Sequence, residues 1–188
     1  LTGRDKYALS NRLSSCECFE SIYERYSRRI YTYCCKMTAR VHVAQELMQD
    51  TFVRFAEKCG WMTLQEKELS AYLFKIAHNL CVDYIRKESR FSSLKALLFC
   101  PVSPPGIEEC VVNDYYSETM ERCLNSLTPD QRSIMILHVV EELSHAQIAS
   151  ILNKSEEAVR KQYQRSKSKI RKMLEKEGVV NGEEIRLV

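Results

Sequence analysis

The sequence predicts an all-α chain of two small helical units joined by a flexible linker, and three observations carry that prediction. Apolar residues recur at three- and four-residue steps rather than in the alternation of a strand. Gly and Pro are absent from residues 4–59 and again from 61–100, leaving long stretches free of helix breakers. Pro101, Pro104, Pro105 and Gly106 then gather in one Ser-containing segment that reads as a linker. The boundaries that follow are a first unit over residues 15–92, a linker over 93–113, a second unit over 114–176 and a polar tail over 177–188.

The first helix is expected over residues 15–38, where Cys18, Phe19, Ile22, Tyr23, Tyr26, Ile30, Tyr33, Cys34 and Met37 fall at three- and four-residue steps as a core-facing stripe. A second, over 43–59, buries Ala44, Leu47, Met48, Thr51, Phe52, Phe55 and Ala56. Its other face carries Gln45, Glu46, Gln49, Asp50, Val53, Arg54 and Glu57, so Val53 stands as an apolar residue on a polar surface. Such a face suits docking of a partner; a stray surface valine is the plainer alternative. Residues 60–70, with Trp61, read as a loop. The third helix turns Tyr72, Leu73, Ile76, Ala77, Leu80 and Tyr84 inward and lines up Lys75, Asn79, Asp83, Arg86 and Arg90 on a polar stripe, which is either a nucleic-acid edge reader or a solvated face.

The second unit opens with a helix holding Tyr115, Met120 and Cys123 or Leu124 inward. Thr128-Pro129-Asp130-Gln131 is a capping box with proline at the first helical position, followed by Ile134, Leu137 and Val140 at helical spacing. Ser144 and Gln147 repeat the box before a short helix carrying Ile148, Ala149, Ile151 and Leu152, which stops at Asn153, a residue that tolerates the left-handed turn. Ser155 caps the last helix, with Glu156 and Glu157 at the positive end of its dipole and Val159, Tyr163, Ile170 and Leu174 as its buried stripe. Outward lie Arg160, Lys161, Gln164, Arg165, Lys167, Lys169, Arg171 and Lys172, a face suited to phosphates and base edges. Short helix, tight turn and basic helix together read as helix-turn-helix.

The formal charge of the 188 residues is only +3, so nucleic-acid affinity must come from this local clustering. No apolar run approaches the ~20 residues of a membrane span and nothing resembles a signal peptide, so a cytoplasmic location is expected. The nine cysteines are odd in number and mostly fall in helix-like runs, which suits reduced thiols; Cys16-Glu17-Cys18 and Cys34-Cys35 lack the paired spacing of a zinc site. No HExxH, Gly-rich phosphate loop or Ser-centred elbow is present. We therefore expect no metal, no cofactor, no small-molecule substrate and no enzymatic activity.

The stretches AQELMQDTFVRFAEK and AYLFKIAHNLCVDYIRKESR, followed after the linker by LTPDQRSIMILHVVEELSHAQIASIL, resemble bacterial sigma factors of the extracytoplasmic-function type. The resemblance covers residues 19–174 and implies two helical domains, sigma-2 and sigma-4. It implies that Glu46, Gln49, Asp50, Val53 and Arg54 dock on the clamp helices of core RNA polymerase. It further implies that Trp61, Tyr72, Lys75, Asn79, Asp83, Arg86 and Arg90 engage the melted minus-10 element, with Asn79 the foremost base contact. The sigma-4 match places Ser155, Glu157, Arg160, Lys161, Gln164 and Arg165 in the major groove of the minus-35 element, while its outer surface meets the polymerase flap. Arg or Lys suits guanine and Gln suits adenine, while Lys154, Arg165, Lys167 and Arg171 suit phosphates. The family also implies an anti-sigma partner. The chain departs from the family pattern at Asn153, where Gly is common, at Glu157-Ala158-Val159, where a GTV-like run is common, and at His78, a position often basic. The competing reading is an autonomous helix-turn-helix regulator that binds operator DNA without polymerase.

Overall fold

The computed structural model describes residues 19–59, 66–98 and 115–176. Trp61, Cys16 and Cys18, the segment 99–114 that holds most of the expected linker, and the tail 177–188 lie outside the described residues. Among the described residues all regular structure is helical: α1 (Phe19–Thr38), α2 (Val41–Cys59), α3 (Glu66–Leu98), α4 (Tyr115–Asn125), α5 (Pro129–Val139), α6 (His145–Leu152) and α7 (Glu156–Lys176). None of these helices is long and apolar enough to cross a membrane.

In the first unit, α1 buries Ile22, Tyr26, Ile30, Tyr33, Cys34 and Met37 of the expected stripe against α2 and α3, whereas Phe19 and Tyr23, expected in the same stripe, are exposed in the first turns of the helix. Leu47, Met48, Thr51, Phe52 and Phe55 of α2 are buried as expected, but Ala56 is exposed because it lies at the edge of the apolar arc. The third helix departs from expectation at both ends. It begins at Glu66, inside the expected loop, with Glu66 and Glu68 favouring its positive end. It runs on through Leu98, beyond the expected boundary at residue 92, since the Ser pair at 92–93 tolerates helix and the first true breaker is Pro101. Arg40 ties the α1–α2 turn to α3 by donating to the Tyr84 hydroxyl and pairing with Glu88, both at 3.0 Å.

In the second unit both capping boxes form: the hydroxyls of Thr128 and Ser144 accept from the backbone of Gln131 and Gln147, whose side chains accept from the cap N–H groups in return. Helix α6 ends at Asn153 with φ 52° and ψ 50°, the left-handed turn its sequence signals. Val140, expected on the apolar face, is instead 44% exposed, because it is the C-cap of α5, where the helix stops and the chain turns away. Six consecutive residues of α5, Arg132 to Leu137, are buried, so this helix is enclosed on all sides.

The enclosure comes from both units, since α5 packs on α6 and α7 of its own unit and on α1 and α3 of the first. One core runs without a break from Ile22, Tyr33 and Phe74 to Ile134, Ile148 and Val159, with α5 packed on α1 and α6 packed on α3. A second, smaller cluster of Cys123, Leu127, Met135, Ile170 and Leu174 anchors α4 and α7. The two units therefore meet along a seam, to which α5 and α6 bring the second unit's packing.

Candidate nucleic-acid interface

The seam fixes what each unit turns outward. At its centre the Tyr33 hydroxyl of α1 lies 2.8 Å from Ser133 Oγ of α5 and 3.2 Å from His78 Nδ1 of α3, all three groups buried. Burial holds the Tyr33 phenol protonated, well above its usual range, and burial lowers the His78 imidazole against the pull of Asp130. Arg132 donates to the Leu124 and Asn125 carbonyls at the end of α4 and to the Met37 carbonyl near the end of α1. One buried cation thus satisfies the orphan carbonyls of two helix termini, where the dipoles are negative. Arg29 of α1 stacks near the Tyr26 and Phe74 rings and pairs at 2.7 Å with Glu141, whose side chain is only 5% exposed.

With that frame set, the residues expected to act lie on the outside. Glu46, Gln49, Asp50, Val53 and Arg54 are all exposed on one side of α2, and Val53 is 56% exposed. Lys75, Asn79, Asp83, Arg86 and Arg90 are exposed along α3, while Tyr72 is half-buried with its ring 6.3 Å from that of Phe55. On α7 the buried stripe is Val159, Ser166, Ile170 and Leu174, with Tyr163 half-buried. Ser155, Glu157, Arg160, Lys161, Gln164 and Arg165 are exposed.

Local contacts sort the outward residues further. The Ser155 hydroxyl accepts from Ala158 N–H at 3.2 Å, so it caps α7 as well as standing at the entrance to the presented face. Arg160 pairs with Glu156 at 3.1 Å and Lys161 with Glu157 at 2.6 Å, one helical turn apart and in the favourable acid-first order. Lys169 donates to the Ser126 carbonyl, and Arg171 pairs with Glu175 at 2.9 Å. Lys154, expected on phosphate, is only partly exposed and pairs at 2.7 Å with Asp130. The turn of the motif is packed by rings: His138, His145 and Tyr163 meet at centroid distances of 4.6–5.3 Å, and burial lowers the His145 imidazole, with His138 adding to the shift.

Sequence reasoning did not foresee that Tyr33, His78, Ser133 and Asp130 meet between the two units, or that Arg132 is buried there. Arg132-Ser133 ahead of the run IMIL was the available signal, since a cation and a hydroxyl in a helix apolar all round need buried partners. Cys34 and Cys81 face each other across α1 and α3 with sulfurs 3.8 Å apart, and that contact together with burial raises the Cys34 thiol far above its usual range, which keeps it a neutral, unreactive core group. Among the described residues no group of three or more His, Cys, Asp or Glu side chains is placed to hold a metal ion.

Comparison with known proteins bears directly on this arrangement. Residues 22–91 match the family model for sigma-70 region 2, and residues 117–170 match that for sigma-70 region 4. The chain belongs to the sigma-70 family, in its extracytoplasmic-function branch. Relatives include the ECF RNA polymerase sigma factor SigW of Bacillus subtilis, 28% identical over 84% of this chain and 89% of that protein. The RNA polymerase sigma factor YlaC of the same organism is 26% identical over 84% of this chain and 92% of that protein. Among solved structures, the sigma factor RpoE of Bartonella quintana, crystallised with the anti-sigma factor NepR, superposes with a TM-score of 0.65 at 20% identity, covering 84% of this chain and 96% of that one. That likeness supports the helical fold.

Proposed function

We propose that this chain binds bacterial core RNA polymerase and directs it to promoters, with the first unit docking on polymerase and engaging the melted minus-10 element and α7 reading the duplex minus-35 element. The observation that carries the assignment of α7 is its division into a buried stripe and an exposed polar face holding Arg160, Lys161, Gln164 and Arg165. An α-helix fits the major groove, and those side chains offer the paired donors that distinguish base edges. On α2, Glu46, Gln49, Asp50, Val53 and Arg54 form the polymerase-docking face, whose mixed apolar and charged character suits a steered protein contact. On α3, Asn79 is the principal base contact, with Tyr72, Lys75, Asp83, Arg86 and Arg90 flanking it, and Trp61, outside the described residues, belongs to the same reading.

Polymerase performs the chemistry in this scheme, and the chain supplies two DNA-reading surfaces. Captured bases of the open strand offset the unstacking energy, so promoter opening is coupled to recognition. The solved RpoE relative is held by an anti-sigma factor, and control of this chain by such a partner is part of the same reading.

The test is gel filtration of the purified chain with bacterial core RNA polymerase. Co-elution is expected. A chain that ignores polymerase yet binds selected duplexes alone, with steep salt dependence, would instead be an autonomous helix-turn-helix regulator.

A further inference from the structure

We propose that three rings at the turn of the helix-turn-helix, His138, His145 and Tyr163, form a proton-sensitive pin that positions α7 for base reading, so that duplex recognition switches off in acid. The inference rests on the promoter-recognition reading and adds a condition under which it operates. Its central observation is the stack itself. His138, near the end of α5, and His145, the first residue of α6, lie face to face with centroids 4.6 Å apart and planes 20° from parallel. Tyr163 of α7 closes the group edge-on, 4.6 Å from His138 and 5.3 Å from His145. Three helices of the second unit therefore meet through these rings, and imidazoles are the side chains that take up a proton near neutrality.

Hydrogen bonding decides which form of the stack is stable. His138 Nδ1 lies 2.9 Å from the Leu143 carbonyl, so that nitrogen carries its ring's proton and Nε2 is the bare acceptor of a neutral imidazole. His145 is partly exposed, but its Nε2 is buried with no hydrogen-bond partner among the described residues. A neutral ring tolerates that position with Nε2 unprotonated. An imidazolium does not, because both nitrogens then carry N–H groups and one has nowhere to donate. Burial is the largest influence against a proton on His145; His138 of α5 and Arg160 of α7 add to it, and Glu156 of α7 opposes them. Glu156 is already paired with Arg160 at 3.1 Å. On the α3 side of α6, Glu66 reaches the cleft lined by Gln147 and Ile151, where its partner is Arg25 rather than His145.

Protonation of His145 therefore parts the stack, and α7 is the element that answers. Tyr163 stands next to Gln164, and Arg160, one of the charges felt by His145, is itself on the reading surface. Paired hydrogen bonds to a base edge need both donors in register, so a modest rotation of α7 removes discrimination while the helix stays folded. The neutral stack is complete above about pH 6.5 and is lost as pH falls below it, since the folded chain binds fewer protons at His145 than the unfolded chain does. That sign sets this chain apart from a plain basic helix. Added positive charge strengthens phosphate contacts, so such a helix binds tighter in acid, whereas this one binds more weakly.

The experiment uses the full chain, alone and with core polymerase, and a duplex selected from a randomised library at about pH 7.5. Wild-type affinity is expected to fall by up to about tenfold between about pH 7.5 and pH 5.5, the most that one proton on an imidazole of ordinary pKa imposes over that range. His145→Phe keeps a ring and removes the proton, so it is expected to bind as wild type at the upper pH and to hold that affinity at the lower. His145→Ala removes the ring and is expected to bind weakly at both. Nuclear magnetic resonance should show the His145 and Tyr163 ring signals shifting together over the same range, with helix content unchanged by circular dichroism. Equal pH dependence in wild type and His145→Phe, or loss of helix at the lower pH, overturns the pin. If no duplex is selected with or without polymerase, the promoter reading itself falls; ring signals that move together then still establish the proton switch, and signals that stay fixed overturn it.

Discussion

Arg132 and Arg160 carry the same guanidinium and use it in opposite ways. Arg132 is buried in the seam, where three backbone carbonyls from two helix ends accept its hydrogen bonds. Arg160 lies exposed on α7, paired with Glu156 one turn away. The first is committed to the fold, since withdrawing it strands buried acceptors; the second adds little to the fold and can exchange its partner for a base or phosphate. The same division separates the whole seam from the outward faces of α2, α3 and α7. Charge directed inward holds the units together, and charge directed outward remains available for binding.

Substitutions on the two sides should therefore have separable effects. The largest is expected inside: Ile134→Ala, at a fully buried position, should lower stability by about 2–5 kcal/mol in urea unfolding. Arg160→Ala should leave unfolding unchanged and reduce discrimination at one upstream base by about 1–3 kcal/mol in a binding selection; an equal loss on every sequence would reassign it to a phosphate. Asp50→Lys, with Asp50 exposed on α2, should weaken association with core polymerase by about tenfold or more, about 1.4 kcal/mol, with the melting temperature unchanged. Unaltered polymerase affinity would remove Asp50 from the docking face.

Two smaller effects sharpen the inner side. Ser144→Ala removes the hydroxyl that caps α6 and should cost about 1 kcal/mol, read by thermal unfolding. Acid should also weaken the fold through His78 and His145, both lowered by burial, His78 against the pull of Asp130 and His145 with His138 adding to the shift. At these rings the folded chain binds fewer protons than the unfolded chain, so their contribution is complete above about pH 6.5 and is lost as pH falls below it. A stability that rises between about pH 6.5 and 5 would contradict this assignment.

The same division explains how much was legible in the sequence. Helix-turn-helix boundaries were readable because local chemistry sets them: Thr128 and Ser144 form reciprocal caps, and Asn153 takes the left-handed turn. Exposure of Asp50, Asn79 and Arg160 was readable because each lies opposite an apolar stripe on its own helix. The seam was not, because Tyr33 and Ser133, or Met37 and Arg132, meet across about a hundred residues of chain and leave no periodic trace. Ala39 and Glu142 likewise adopt positive φ without the Gly or Asn that would mark such turns. The end of α3 was misplaced because the serine pair was read as a breaker, when it is compatible with continued helix.

The most direct test of the central claim is transcription by core polymerase from a randomised promoter library, with the chain supplied as the only specificity factor. Transcripts are expected from templates enriched in two sequence blocks about 25 base pairs apart, the downstream block melted in the open complex. No transcripts, or enrichment of a single block that the chain binds equally well without polymerase, would contradict it.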